Sequence, residues 1–120
     1  MTAARNSTLG RYGESVAARQ LTALGMTVID RNWRGPSGEI DLVLRDGDTL
    51  VICEVKTRTT ADRGHPLEAV NGTKAQRLRR LAAQWMEARQ VRPSDVRIDL
   101  VGVLQSGHGA AQIEHLKGVG

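Results

Sequence analysis

Residues 38–57 read GEIDLVLRDGDTLVICEVKT, and this stretch decides the fold. Two apolar runs flank the tetrapeptide RDGD, and an Asp-Gly pair between such runs is a strong β-hairpin signal. The runs also contain Glu39, Asp41, Glu54 and Lys56. Because charged side chains are rarely buried without partners, the stretch predicts a hairpin that carries a specialised charged cluster.

The length of the turn decides whether these charges share one face of the sheet. A two-residue turn at residues 46–47 places Asp41 opposite Ile52. The same register places Glu39 opposite Glu54, so the charged side chains of the hairpin gather on one face. A three-residue turn would place Asp41 and Glu54 on opposite faces unless a bulge intervened.

Carboxylates this close repel one another, and a bound divalent cation would offset that cost. Their oxygens suit Mg²⁺ or Mn²⁺, with water and a substrate phosphate completing the octahedron. Lys56, two residues after Glu54, would point into the same site and hold a phosphate oxygen or polarise water. The cluster therefore predicts phosphodiester hydrolysis. The alternative for a Glu-Val-Lys tripeptide is a solvated face with a cross-strand salt bridge.

The rest of the chain predicts helices and strands around the hairpin. A first helix runs from Thr8 to about Leu24, after a flexible tail at residues 1–7, and Gly25 ends it. A second helix runs from Thr73 to about Gln90, with apolar residues at helical spacing. Further predicted elements are strands at Met26–Arg34, Val96–Leu104 and Gln112–Leu116, a loop at Arg58–His65 and a short helix from Pro66.

This order of elements predicts a single α/β domain over residues 1–120, with a mixed sheet of four to five strands flanked by helices. Cys53 is the only cysteine, so neither an internal disulfide nor a cysteine-based zinc site can form. No apolar run approaches the roughly 20 residues of a membrane span. We therefore expect a cytoplasmic protein without a membrane partner.

The charge of the chain favours an anionic partner. The formal net charge is +4, and all but three of the 17 basic residues are arginine, which binds phosphate with planar, bidentate geometry. An arginine-rich codon composition explains the same bias equally well.

Four blocks of the sequence resemble the YraN-like family of uncharacterised bacterial proteins. They are GRYGESVAARQLTALG (10–25), NWRGPSGEIDLV (32–43), VICEVKTR (51–58) and RIDLVGV (97–103). Asp41, followed after 12 residues by Glu-Val-Lys, also resembles the PD-(D/E)xK signature of restriction-endonuclease-like nucleases. The YraN-like family is thought to be related to archaeal Holliday-junction resolvases. The resemblance implies a three-layer, restriction-endonuclease-like fold.

The resemblance also implies roles for individual residues. Asp41 and Glu54 would be the metal-binding carboxylates, and Lys56 the catalytic lysine. Glu14, on the first helix, would complete the metal site, whereas Glu39 lies outside the signature and is a weaker candidate. The implied activity is a Mg²⁺- or Mn²⁺-dependent endonuclease acting on DNA, including branched DNA. A resolvase would act as a homodimer, because it cuts two strands symmetrically.

Several basic residues could position the phosphate backbone of DNA. The candidates are Arg11, Arg58, Arg63, Lys74, Arg77 and Arg80. The alternative for each is a solvated surface cation. Two hypotheses compete with the nuclease: a non-catalytic nucleic-acid-binding accessory protein that retains the nuclease fold, and a structural module that binds protein partners.

Overall fold

A computed structural model of the chain describes residues 2–59, 72–105 and 109–119, with side chains described from residue 8 onward. Within these ranges the chain forms one helix, three strands, a second helix and two further strands. They are α1 (Thr2–Ala23), β1 (Thr27–Gly35), β2 (Gly38–Asp46), β3 (Thr49–Thr59), α2 (Gly72–Arg89), β4 (Asp95–Gln105) and β5 (Gln112–Leu116).

The strands form one sheet in the order β1-β2-β3-β4-β5. Neighbouring strands are antiparallel except for β3 and β4, which are parallel. A parallel pair needs a long crossover, and α2 lies in the connection between these two strands. The predicted α/β domain with a mixed sheet is therefore confirmed.

Each face of the sheet carries its own apolar core, so the domain has three layers. On one face α1 packs through Val16, Ala17, Ala18 and Leu21 against alternate residues of β2, β3 and β4. On the other face α2 packs through Leu78, Leu81, Ala82 and Trp85 against the intervening residues of the same strands. Among the described helices, neither carries an apolar run that could cross a membrane.

The end of α1 confirms the predicted stop at Gly25, which has a φ of 101°. Met26 N–H donates to the Leu21 carbonyl at 3.1 Å and Gly25 N–H donates to the Thr22 carbonyl at 2.9 Å. Both bonds belong to a Schellman motif, which satisfies carbonyls at the helix end. Leu21 and Met26 are buried and supply the apolar contact that accompanies this motif.

The start of α1 differs from the prediction. The helix begins at Thr2, so residues 2–7, predicted as a tail, are helical. The predicted start of the helix at Thr8 was therefore wrong. The preceding Ala3, Ala4 and Arg5 are strong helix formers and continue the helix in the N-terminal direction.

Strand β3 is longer than predicted. It continues to Thr59, because Arg58 and Thr59 extend the parallel ladder to Leu104 and Gln105 of β4. Arg58 therefore lies in a strand and not in a loop. The rest of the predicted loop, with Arg63, and the predicted short helix from Pro66 lie outside the described residues.

The β2–β3 turn has the predicted length but a different position. Asp46 pairs with Thr49, so the two turn residues are Gly47 and Asp48. Gly47 has a φ of 63°, whereas Asp48 is not among the residues with positive φ. A glycine at the first central position is typical of a type II′ turn, which the Asp-Gly interpretation did not consider. The register moves by two residues, and an even shift does not by itself turn a side chain to the other face of the sheet.

A buried ionic cluster joins the last two strands to the C-terminal segment. Asp99 of β4 is fully buried and accepts hydrogen bonds from Arg97, His115 and the Gly118 backbone N–H. Burial raises the pKa of Asp99, but the hydrogen bonds from Arg97 and His115 outweigh it and hold the pKa below its usual range. The cluster thereby attaches β5 to the edge of the sheet.

Gly13→Ala should destabilise the fold. The added methyl group would overlap Thr57 Oγ1 and lie 3.0 Å from Thr57 Cβ. Rotating the threonine side chain relieves only the first contact, so α1 must move away from β3. We expect the free energy of unfolding, measured by chemical denaturation, to fall by about 1–3 kcal/mol.

Gly10→Ala is the matched control on the same helix, because nothing lies within 4 Å of the methyl group it adds. Helix propensity should make this variant neutral or more stable by up to about 1 kcal/mol. Equal stability of the two variants would contradict a tight contact between Gly13 and Thr57.

Candidate functional site

The candidate site lies where the regular pairing of β2 with β3 ends. The regular pairing of the hairpin runs from Asp46–Thr49 to Leu42–Cys53. One step further, Val55 N–H donates to Asp41 Oδ2 at 2.8 Å. A side-chain carboxylate therefore takes the place of a backbone acceptor. We call this place, where Asp41 meets Val55, the ladder end. Its hydrogen bond fixes Asp41 against β3.

Side-chain alternation along β2 also breaks at Asp41. Leu42 and Leu44 belong to the core under α1, whereas Ile40 belongs to the core under α2. Strict alternation along β2 predicts that Ile40 shares a face with Leu42, and the structure shows that it does not. The strand loses its period of two at the residue whose side chain enters the ladder, as an irregular pairing allows.

Strand β1 is irregular at the same level. Its pairing with β2 passes from Arg31–Leu42 to Trp33–Ile40, which leaves Asn32 beside Asp41 without a regular partner. Asn32 has a φ of 51°. Residues other than glycine seldom adopt positive φ, and such strained residues cluster at functional sites. The sequence gives no signal for this role beyond the tolerance of asparagine for that conformation.

Burial is the main reason that the pKa of Asp41 is raised to about 7. The hydrogen bond from Val55 opposes the rise, and the charges of Glu14, Glu54 and Glu39 add to it. Asp41 therefore keeps its proton to a higher pH than an ordinary aspartate does. The structure brings the predicted carboxylates near enough to influence one another.

Glu14 approaches Asp41 from α1. Burial raises the pKa of Glu14, a hydrogen bond from Asn32 opposes this rise, and the charge of Glu39 adds to it. Glu39 itself is exposed and lies 3.9 Å from Arg34, a distance at which a surface ion pair contributes little. Glu14 is thus the partly buried neighbour of Asp41, and Glu39 is a peripheral one.

Glu54 is held by two cations from α2. Its Oε1 accepts a hydrogen bond from Arg77 Nη2 at 3.2 Å, and its Oε2 forms an ion pair with Lys74 Nζ. The side chain of Glu54 is only 15% exposed, so these contacts replace much of its hydration. Lys74 and Arg77 were predicted as phosphate contacts, and their contact with Glu54 was missed.

Gly38 makes room for one of these contacts. A Cβ atom at this position would lie 3.1 Å from Arg77 Nη1, and the φ of Gly38 is 137°. Arg77 therefore crosses the start of β2 on its way to Glu54. The glycine is needed here for both its conformation and its missing side chain.

Lys56 lies further along β3 and is exposed. Its register partner on β4 is Gly102, so no neighbouring side chain from that position covers it. The next residue on the same face of β3, Arg58, is half-buried, and its Nε is a buried atom without a hydrogen-bond partner among the described residues. Two basic residues, Lys56 and Arg58, thus follow Glu54 along β3.

Two further predicted phosphate contacts, Arg11 and Arg80, lie on different helices. Arg11 is exposed and lies near enough to Glu14 to lower its pKa. Arg80 is exposed on α2, and Arg63 lies outside the described residues.

The carboxylates suit a hard divalent cation, although the described part of the chain holds no group of three or more His, Cys, Asp or Glu residues that could bind a metal ion. Mg²⁺ is commonly held by one or two carboxylates, with water and substrate phosphate as the other ligands. Asp41 and Glu54 are two carboxylates of the kind that Mg²⁺ binds in this way.

Asp41→Asn should reduce the pH dependence of stability. The folded-state pKa of about 7 exceeds the ordinary value near 4, so the folded protein keeps a proton that the unfolded chain has released. Asp41 therefore contributes stability that is fully present below about pH 4 and is lost as the pH rises through about 7. Between pH 5 and pH 8 this loss should reach about 3 kcal/mol in the wild type.

Denaturation of both proteins at these two pH values measures the effect. The asparagine side chain can still accept the hydrogen bond from Val55, so the local geometry is matched. A loss of stability that is the same in both proteins would contradict the raised pKa of Asp41.

The comparisons with known proteins concern nearly the whole chain. Residues 13–103 match the uncharacterised protein family UPF0102. A UPF0102 protein of Streptomyces coelicolor is 58% identical over 113 residues, which cover 92% of this chain and 87% of that protein. A UPF0102 protein of Beutenbergia cavernae is 56% identical over 112 residues, covering 93% and 95%. One from a Nocardioides species is 52% identical over 118 residues, covering 98% and 95%.

The matched range contains the ladder end and the α2 cations that contact it. The relation to PD-(D/E)xK nucleases and to resolvases stays a prediction, as do the homodimer and the cytoplasmic location. The resemblance to the YraN-like proteins is confirmed at the level of the family. The chain belongs to the UPF0102 family.

Proposed function

We propose that this protein is a divalent-metal-dependent endonuclease that hydrolyses phosphodiester bonds in DNA, including branched DNA. The observation that carries the proposal is the position of Asp41, which Val55 N–H holds at the ladder end among other carboxylates. Burial and these carboxylates raise the pKa of Asp41 to about 7, and strongly perturbed carboxyl groups are typical of functional sites. The hydrogen bond from Val55 accounts for the place of Asp41 but not for the further carboxylates gathered around it.

The carboxylate oxygens of the site are suitable ligands for a divalent cation. Asp41 and Glu54 would hold it, and Glu14 would support it from α1. When bound, the metal would supply a water molecule activated for attack on phosphorus and would neutralise the charge that develops on the phosphate. Asp41 would have to release its proton to act as a ligand, because metals bind the deprotonated carboxylate.

The basic residues of β3 would act on the substrate. The Lys56 ammonium group, exposed beyond Glu54, would hold an oxygen of the scissile phosphate or orient the attacking water. Arg58, two residues further along the same face, is half-buried. The terminal nitrogens of its guanidinium group would donate to a neighbouring phosphate, which fixes the position of the DNA backbone.

A second candidate function is a nucleic-acid-binding accessory protein that retains the nuclease fold without cleaving. The contacts of Lys74 and Arg77 with Glu54 favour this candidate, because both oxygens of a proposed metal ligand are already bonded. Cleavage distinguishes the two functions.

Lys56→Ala and Glu54→Gln should abolish nicking of four-way-junction and duplex DNA in Mg²⁺. We expect losses of at least about 100-fold, the usual scale for removing a group that acts on the reacting phosphate. DNA binding, measured by fluorescence anisotropy in EDTA, should survive in both variants, because other cations contact the phosphates.

Asp48→Asn is the matched control, since it removes a carboxylate at the exposed turn of the same hairpin. It should cleave like the wild type. If the variants at Glu54 and Lys56 nick DNA as fast as the wild type, the activity belongs to a contaminant and the enzymatic proposal fails. DNA binding without cleavage by any of the proteins would favour the accessory function.

A further inference from the structure

The first turns of α2 hold Glu54 in a closed arrangement. Lys74 pairs with Oε2 and Arg77 with Oε1, so each carboxylate oxygen contacts a different cation. The side chain of Glu54 is 15% exposed and that of Lys74 is 27% exposed, so the contact is partly shielded from water. A carboxylate with so little contact to water depends on such partners for compensation of its charge.

A divalent cation on Glu54 would need at least one of the oxygens that these side chains occupy. It would also bring two positive charges next to Lys74 and Arg77, which repel it. We infer that Lys74 is an internal competitor of the metal and that its ammonium group must leave Glu54 before a divalent cation can bind. This inference rests on the proposed function, because it takes Glu54 as a metal ligand.

The two cations differ in how readily they can move. Lys74 lies two residues after the start of α2, and its ammonium group is a single point charge on a flexible chain. Arg77 lies one turn further into the helix, and its guanidinium group passes close over the backbone at Gly38. Lys74 is therefore the contact that opens, while Arg77 keeps Glu54 in place.

Loss of the competing charge should strengthen metal binding. A unit charge about 5 Å from a divalent cation changes its affinity on the order of tenfold, even when water screens the interaction. Lys74→Met, which keeps the aliphatic length and removes the charge, should therefore bind Mn²⁺ about tenfold more tightly than the wild type. Lys74→Arg, which keeps the charge, should stay near the wild-type affinity.

Calorimetric titration of the full chain with Mn²⁺, without DNA and at constant ionic strength, measures these affinities. Arg79→Met is the control, because it removes the same charge from an exposed position of α2. If Arg79→Met strengthens binding as much as Lys74→Met, the effect is general electrostatics and the inference is overturned. Unchanged or weaker binding by Lys74→Met, with a wild type that binds Mn²⁺, also overturns it and leaves the proposed function standing.

The proposed function fails by a different result, in which neither the wild type nor Lys74→Met binds Mn²⁺; that result overturns both proposals. Thermal melting provides a second readout that does not depend on cleavage. Without metal, Lys74→Met should melt below the wild type, because Glu54 loses a partner. Mn²⁺ should then raise its melting temperature more than it raises that of the wild type. An equal or smaller rise counts against competition at Glu54.

Discussion

The hydrogen bond from Val55 N–H to Asp41 Oδ2 is the contact on which the geometry of the site depends. A backbone donor at the end of a strand ladder needs an acceptor, because an unpaired buried N–H is costly. Here the acceptor is a side chain, so the donor that would continue the hairpin instead holds a carboxyl group. The parallel ladder between β3 and β4 then fixes where Glu54 and Lys56 lie relative to Asp41.

Holding Asp41 at the ladder end costs free energy, and packing on both faces of the sheet offsets that cost. Burial and like charges raise the pKa of Asp41, and Asn32 has a strained backbone conformation at the same level. The apolar cores under α1 and α2 surround this point and keep the strands together. Local strain of this kind persists only where the surrounding structure determines it.

Much of the fold could be predicted from the sequence, because local patterns specify it. Gly25 ends α1 as predicted, and the five strands lie within one or two residues of their predicted limits. The position of the hairpin turn was wrong, since an Asp-Gly-Asp sequence permits glycine at either central position. The error of two residues did not itself reverse any face, as only an odd shift would do so, but the break in alternation at Asp41 moved Ile40 to the face under α2.

The contacts of the candidate site were harder to predict than its residues. Asn32 and Glu14 meet across β1 and α1, and Lys74 reaches Glu54 only because α2 docks with its first turns over β3. No local pattern encodes such contacts, which depend on how helices lie on the finished sheet. A lysine and an arginine three residues apart on a helix are typical of a solvated face, and their sequence carries no sign of a buried partner.

The charges of the site are balanced in two different ways. On the α2 side Glu54 is compensated by Lys74 and Arg77. On the α1 side the pKa of Asp41 is raised to about 7, so a proton on Asp41 supplies part of the compensation. The pKa of Glu14 is also raised, mainly by burial. The fold can therefore hold these carboxylates together without a metal. A divalent cation would have to replace a proton on Asp41 and Lys74 on Glu54, and metal affinity would then depend on both pH and the position of α2.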